Sequence, residues 1–365
     1  MPNATAQRLI DLLVAKGKEE YTRNEVVDIA KEHNLNPDSF LNLAEYRVRR
    51  GVYSVNNTQK NDVIEMAITS STDETNLVPL MDDTFVPFGF YKDLSTIIKS
   101  QHFYPVFITG LSGNGKTTMI EQVCAKLKRE AVRVNISIET DEDDLIGGNT
   151  LVNGNIVYRE GPVLLAMKRG SILILDECDR GSNKLMCLQA ILEGKPYFNK
   201  KTGETIYPKK GFNIVATANT KGQGSDDGKY MSAQILDDAF LERFAITVEQ
   251  EYPSSKVEKR IVMNKMNRVD KVDEDFADKL VAWAEIIRKT FKEGAIDDLI
   301  STRRLEHIVN AFAMFGDRMK AIELCVARFD EETKTSFLDL YTKVDADVSM
   351  PSVTEQVNEE VIVGM

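Results

Sequence analysis

Eight consecutive residues carry the first recognisable chemistry. Gly110-Leu-Ser-Gly-Asn-Gly-Lys-Thr117 fits the spacing G-x-x-x-x-G-K-[ST], a loop whose backbone N–H groups close around phosphate oxygens. Glycines are needed because side chains would crowd the turn. In this pattern Lys116 reaches the β- and γ-phosphate oxygens and the Thr117 hydroxyl is a magnesium ligand. The helix that starts near Lys116 turns its positive end toward the anion. Gly110, Ser112, Gly113, Asn114, Gly115, Lys116, Thr117 and Thr118 form the expected nucleotide-binding set.

About sixty residues further on, Ser171-Ile-Leu-Ile-Leu-Asp176-Glu177 ends an apolar run in two acids. Solvated acids end many strands, but downstream of a phosphate loop the pair reads as a Walker B segment. Asp176 then joins Thr117 at the metal, through water, and Glu177 polarises the attacking water. The two segments together predict a hydrolase of nucleotide triphosphate, with ATP and Mg2+ as its small-molecule requirements.

The surrounding elements suit that chemistry. Between Thr84 and Gln250, short β-branched runs alternate with helical stretches: Val106–Thr109, Val132–Ile138, Ile172–Leu175, Phe212–Thr217 and Ile246–Val248. Apolar strands separated by helices predict an α/β fold with a parallel sheet covered on both faces. Residues 84–250 form the expected nucleotide-binding core and 251–343 a helical lid. Residues 1–60 read as a small helical module, with a Thr22/Glu25 capping box and Asn36-Pro37 opening a third helix. Gly51-Val-Tyr-Ser-Val after it suggests the wing of a winged-helix-like fold. Arg47, Arg49 and Arg50, near the end of that third helix, are read as a solvated cationic end rather than a phosphate contact. A linker is expected over 61–83 and a flexible or partner-dependent acidic tail over 344–365.

Composition narrows the classes. The chain has 365 residues, 46 Lys/Arg against 57 Asp/Glu and a net charge of −11, which argues against a general polyanion-binding surface. Four cysteines without metal-site spacing, Cys124, Cys178, Cys187 and Cys325, suggest packing in a reducing cytoplasm. Asp11 interrupts the only N-terminal apolar stretch, and no run of 18 apolar residues exists to span a membrane.

At this point the chain resembles the AAA+ ATPases, and the remaining signals take their meaning from that resemblance. Phe212-Asn-Ile-Val-Ala-Thr-Ala-Asn219 matches a sensor 1 strand, so Asn219 would orient the water beside Glu177. Leu236-Asp-Asp-Ala-Phe-Leu-Glu-Arg243-Phe resembles the segment whose arginine reaches a neighbouring subunit's nucleotide. Ser301-Thr-Arg-Arg-Leu resembles sensor 2, with Arg303 the expected phosphate contact and Arg304 the fallback. Asn153-Gly154 between β-formers, and Thr202-Gly203 within Tyr197–Tyr207, predict two hairpins. Hairpins at those places resemble the helix-2-insert branch and its MoxR group.

The phrases Asp143-Asp-Leu-Ile-Gly-Gly, Arg159-Glu-Gly-Pro-Val, Asp176-Glu-Cys-Asp-Arg and Ala218-Asn-Thr-Lys-Gly-Gln-Gly look most like the CobS family of aerobic cobaltochelatase ATPase subunits and their phage-encoded relatives. The resemblance implies a ring, most often a hexamer, remodelling a protein partner that bears a von Willebrand A domain. A DNA-directed motor or loader using the N-terminal module is the alternative. A non-hydrolysing scaffold is disfavoured because Glu177 and Arg243 are both present. The acidic run Glu139–Asp144 is expected to be a solvated loop. Arg180 is read equally as a bridge between subunits or a local ion pair with Asp179 or Glu177. Asn135 is read equally as a switch for Glu177 or a strand-edge residue.

Overall fold

The computed structural model describes residues 4–18, 20–43, 46–49, 52–53, 55, 76–224 and 230–349. The chain divides into two compact units, Met1–Asn76 and Leu77–Met365.

In the first unit, helices α1 (Ala4–Ala15), α2 (Arg23–Glu32) and α3 (Asp38–Leu41) pack with three short strands, β1 (Tyr21–Thr22), β2 (Arg47–Arg49) and β3 (Val52–Tyr53). The strands pair antiparallel in the order β1-β3-β2. The Thr22/Glu25 capping box opens α2, each residue's side chain accepting from the other's backbone. Leu9, Leu13, Val26, Phe40 and Tyr53 form the core. The third helix is only four residues long, so Arg47 and Arg49 lie in β2 and not at a helix end. Pairing with β3 (Arg47 opposite Tyr53) gives that backbone its hydrogen-bond partners instead. Arg50, Gly51, Ser54 and most of the 61–83 linker lie outside the described residues. Leu77 is described and packs against the core of the second unit, where its carbonyl accepts from Ala131 N–H.

The second unit is built on a five-stranded sheet of β4 (Val106–Thr109), β5 (Ala131–Asn135), β8 (Ile172–Asp176), β11 (Asn213–Thr217) and β12 (Ile246–Glu249). Its order is β12-β4-β11-β8-β5 and every pair is parallel. Strand period two sorts its residues onto two cores. Leu173, Leu175, Ile214, Ala216 and Phe107 face one side. Ile172, Ile174, Val215, Val106 and Ile108 face the other, against helices α4 (Tyr91–Ser100) and α5 (Lys116–Lys126). Asp176 and Thr217 continue the parity of Ile174 and Val215, so both come out on the α5 side. All five expected strands are present; β5 ends at Asn135 rather than Ile138 because Ser137–Thr140 turn the chain, with Thr140 N–H bonded to the Ser137 carbonyl.

Two hairpins leave this sheet. Strands β6 (Gly147–Val152) and β7 (Asn155–Glu160) pair across Asn153-Gly154, whose positive φ values of 50° and 82° make the turn. Strands β9 (Tyr197–Phe198) and β10 (Thr205–Ile206) form the second. The acidic run between them and β5 is not a free loop. Asp141 and Asp144 form a capping box on a short helix, α6 (Glu142–Leu145), because their carboxylates satisfy the amides at its start.

Helix α7 (Pro162–Arg169) returns the chain from the first hairpin to β8. Beyond β12, helices α8 (Ser255–Arg268), α9 (Glu274–Lys292), α10 (Thr302–Phe315), α11 (Arg318–Val326) and α12 (Glu331–Val344) enclose a separate core around Trp283. The start of the acidic tail belongs to this lid. Asp345 is fully buried, accepting from Lys279 Nζ at 2.7 Å, Tyr341 OH at 2.8 Å and Arg318 Nη1 at 3.1 Å. Residues 350–365 of that tail lie outside the described residues. Among the described residues no helix is long and apolar enough to cross a membrane.

Candidate nucleotide site

The loop between β4 and α5 is shaped by close approach as much as by conformation. Gly110 has φ +140°, and a Cβ there would lie 2.3 Å from the Gln250 carbonyl oxygen. At Gly113, φ +74°, a Cβ would lie 2.7 Å from Ser301 Oγ. Neither position admits a side chain. Asn114 Nδ2 ties the loop to β12's end by donating to Gln250 O at 2.5 Å. Ser112 is held at both backbone groups: its N–H donates to Tyr230 OH at 3.2 Å and its carbonyl accepts from Tyr252 OH at 2.7 Å.

Lys116 is 7 % exposed and folds back on the loop, donating to the carbonyls of Gly110 at 2.6 Å and Leu111 at 3.1 Å. It also reaches Asn219 Oδ1 at 3.4 Å. Burial pushes its ammonium down to about 8, against the pull of Asp179, Asp176 and Glu177, while Arg303 adds to the lowering. A cation so poorly solvated is suited to an anionic ligand.

Asp176 is 5 % exposed. Its Oδ1 accepts from Thr117 Oγ1 at 2.8 Å and from Thr217 Oγ1, and its Oδ2 is ion-paired with Arg133. Desolvation is the largest single influence on its carboxyl and would raise it. Hydrogen bonds from Thr217 and Thr117 and the Arg133 charge together outweigh it, so the net displacement is downward and the carboxylate stays ionised. A threonine hydroxyl and an ionised carboxylate touching one another are hard oxygen donors of the kind magnesium prefers, and the guanidinium already shows that this carboxylate accepts a cation. The residues present therefore fit the metal.

Glu177 follows in the left-handed region, φ 56°, where its N–H donates to Thr217 Oγ1 at 3.2 Å. Its carboxylate pairs with Arg180 at 2.9 Å, so Arg180 makes the local ion pair. Asp179, 1 % exposed, accepts from the backbone N–H groups of Asn219 and Thr220 at 2.9 and 2.8 Å. That fixes the turn carrying Asn219 against the turn that follows Asp176 and Glu177.

From the lid, Arg303 N–H donates to Gly113 O at 3.3 Å, and the residue lines the same 290 Å³ cavity as Ser112–Thr118, Asp176, Glu177 and Asn219. Arg304 faces a different hollow, with Arg328 and Tyr230. The Arg303 helix is anchored by buried charge: Glu258 takes a two-pronged pair from Arg288, 2.8 Å on each oxygen, and accepts from Thr302 Oγ1 at 2.5 Å. A smaller, more apolar recess of 120 Å³ adjoins the loop, lined by Val86, Phe88, Ile261, Glu306 and Arg303. Asn135 lines the main cavity from β5.

Two of the expected residues do not line this cavity: Gly110, at the start of the loop, borders a neighbouring hollow with Gln250 and Tyr252, and Arg243 points elsewhere. Its Nε donates to Glu193 Oε1 at 3.0 Å, and a second guanidinium nitrogen donates to the Ala239 carbonyl. Sequence reasoning missed Arg133, Thr217, Asp179 and the smaller recess. Strand parity exposes the first two, since each lies two residues from a cavity residue of its own strand or matches its neighbour's register. Burial pushes the Cys178 thiol up and Cys187 to about 12, as suits packing residues.

The two hairpins are fastened together. Tyr158 OH accepts from Asn199 Nδ2 at 2.7 Å and donates to Ile146 O at 3.0 Å. Tyr197 OH donates to Glu142 at 2.7 Å, and Lys201 pairs with Asp143. The first hairpin leaves Leu151 and Ile156 exposed at 71 % and 76 %, and the second leaves Phe198 at 56 %.

Residues 105–244 match the AAA domain of the dynein-related subfamily, and 258–344 match the C-terminal domain of CbbQ, NirQ and NorQ. The aerobic cobaltochelatase subunit CobS of a Sinorhizobium species is 30% identical over 248 residues, 66% of this chain and 74% of that one. An uncharacterized protein of Staphylococcus epidermidis is 28% identical over 200 residues, 53% and 72% of the two chains. Among solved structures, the RuvB Holliday junction branch migration motor of Thermotoga maritima covers 68% of this chain and 73% of its own, at 17% identity and a TM-score of 0.45. With a glycine-rich loop, paired acids and Asn219 gathered at one end of the parallel sheet β12-β4-β11-β8-β5, a helical C-terminal region and this likeness to CobS, the chain belongs to the MoxR-like AAA+ ATPases, close to CobS.

Proposed function

We propose that this protein hydrolyses ATP with Mg2+ as a homo-oligomeric ring, six subunits by analogy, and uses the cycle to remodel a protein partner that bears a von Willebrand A domain. The observation that carries the reading is the convergence of Lys116, Thr117, Asp176, Glu177, Asn219 and Arg303 on one cavity while Arg243 stays outside it.

In this reading the loop amides, Lys116 and Arg303 hold the phosphates. Thr117 and Asp176 hold the magnesium, which when bound neutralises charge on the β- and γ-phosphate oxygens. Glu177, released from Arg180, accepts the proton of the attacking water, and Asn219 orients that water. Arg243 completes a neighbour's cavity, so that hydrolysis depends on assembly. The recess beside Phe88 and Val86 takes the base. The fastened hairpins carry the motion to the partner through their exposed apolar side chains.

A Glu177→Gln chain should bind ATP, turn it over slowly and hold its client. Purified from the native cell with ATP, it should bring down a von Willebrand A-domain protein. Nuclease-sensitive DNA complexes without such a protein would favour a DNA-directed motor instead, a role that the net charge of −11 does not support.

A further inference from the structure

The metal carboxylate already has a cationic partner, and that partner comes from an edge strand that the nucleotide motifs do not include. On β5, Arg133 and Asn135 share a face, and Asn135 pairs in register with Asp176 while Arg133 pairs with Ile174. This is the α5 side of the sheet. One Arg133 Nη donates to Asp176 Oδ2, and the other donates to Glu121 Oε1 at 3.1 Å. Glu121 lies four residues after Thr117 on α5, one turn along the same helix face. The guanidinium therefore bridges the metal carboxylate and a second acid just beyond the metal hydroxyl. Its burial is asymmetric: the Arg133 side chain is 44% exposed, that of Asp176 only 7%. Arg133 sits at the mouth of the cavity it lines, with Glu121 as an alternative anchor.

We infer that Arg133 is a positioning residue that acts as a resident counter-cation for Asp176, competing with the divalent metal and so loosening its hold. A carboxylate this buried is costly without a compensating charge. Here the Arg133 guanidinium supplies that charge. An arriving divalent ion supplies it as well, and two cations on one carboxylate repel. Whether Arg133 withdraws to Glu121 or stays on Oδ2, its charge weakens metal binding. The inference rests on the Mg-ATP reading of this cavity.

The test is Mn2+ binding to the full chain, followed by the electron paramagnetic resonance signal of the free ion, with a saturating non-hydrolysable ATP analogue. Arg133→Met should tighten Mn2+ binding about three- to tenfold, the scale on which a neighbouring like charge acts. Arg133→Lys, which keeps the charge, should stay near the wild type. Affinity for the analogue in EDTA should change little in either variant. Unchanged or weaker Mn2+ binding in Arg133→Met would overturn the inference, since a merely structural ion pair predicts loss or no effect. Should Arg133→Met not fold, Arg133→Gln reads the same quantity. Nucleotide-dependent Mn2+ binding by the wild type, abolished in Asp176→Ala, tests the underlying reading separately: if the wild type binds none, that reading fails first.

Discussion

The second unit contains two kinds of β-structure with opposite relations to water. In the central sheet, Ile172–Leu175 and Ile214–Ala216 are completely buried on both faces. In the hairpin pair, Leu151, Ile156 and Phe198 stand in solvent. The sheet has its hydrogen bonds satisfied by parallel neighbours and both faces covered, so the ends of its strands are fixed points. Those ends carry Gly110, Asp176 and Thr217. The hairpins are held at their bases by Ile206 and Tyr197, which pack into the core, and by polar contacts of Tyr158 with Asn199 and Lys201 with Asp143. Chemistry that tolerates no displacement is placed on the first kind, and apolar surface left exposed among the described residues is placed on the second.

The sharpest way to break this division is to remove chemistry without touching packing. Glu177→Gln should lower ATP hydrolysis by about 10²–10⁴-fold, as expected for loss of a general base, with ATP affinity and thermal stability retained. A steady-state phosphate-release assay beside a binding titration reads both. Leu173→Ala, in the middle of β8, should cost roughly 2–5 kcal/mol of stability in a denaturant titration. Because it loosens the strand that ends in Asp176, activity should fall before the chain unfolds.

Much of this was legible in the amino-acid order, for a physical reason. A phosphate loop needs glycines at fixed positions and a buried parallel strand needs a continuous apolar run, so Gly110–Thr117 and Ile172–Glu177 announce themselves locally. The Asn153-Gly154 and Thr202-Gly203 hairpins did so through their turns. The less visible features depend on contacts between distant segments. Nothing near Arg133 shows that its guanidinium will meet Asp176, 43 residues away. The short third helix of the first unit ends where β2 finds a partner in β3. Asp345 reads as part of an acidic tail until Lys279, Arg318 and Tyr341 surround it. The acidic run at 139–144 reads as solvated until its side chains are seen capping α6 and gripping the second hairpin.

Smaller effects sharpen the comparison. Burial holds the Lys116 ammonium near 8 in the free protein, whereas a bound phosphate favours the charged form. Below about pH 8 the lysine is protonated in both states and ATP affinity should be level. Above it, binding must take up a proton, and affinity should fall by up to about tenfold per pH unit until the bound-state value is reached. Calorimetry in buffers of different ionisation enthalpy would detect the proton. At the hairpins, the paired change Leu151→Ser and Ile156→Ser should alter stability by no more than about 0.5 kcal/mol per site, because those side chains are already in water. It should leave basal hydrolysis intact and weaken only capture of the partner, compared by recovery on the Glu177→Gln chain.

The most direct test of the central claim is a mixing measurement of ATP hydrolysis. Lys116→Ala chains lack the cavity's buried ammonium but keep Arg243; Arg243→Ala chains keep the cavity but lack the arginine. Each alone should be nearly inactive. Co-expressed in one assembly, an Arg243→Ala cavity beside a Lys116→Ala neighbour is complete, and hydrolysis should return to a substantial fraction of the wild-type rate. Mixed assemblies that form and remain as inactive as either parent would contradict the claim that Arg243 completes its neighbour's site.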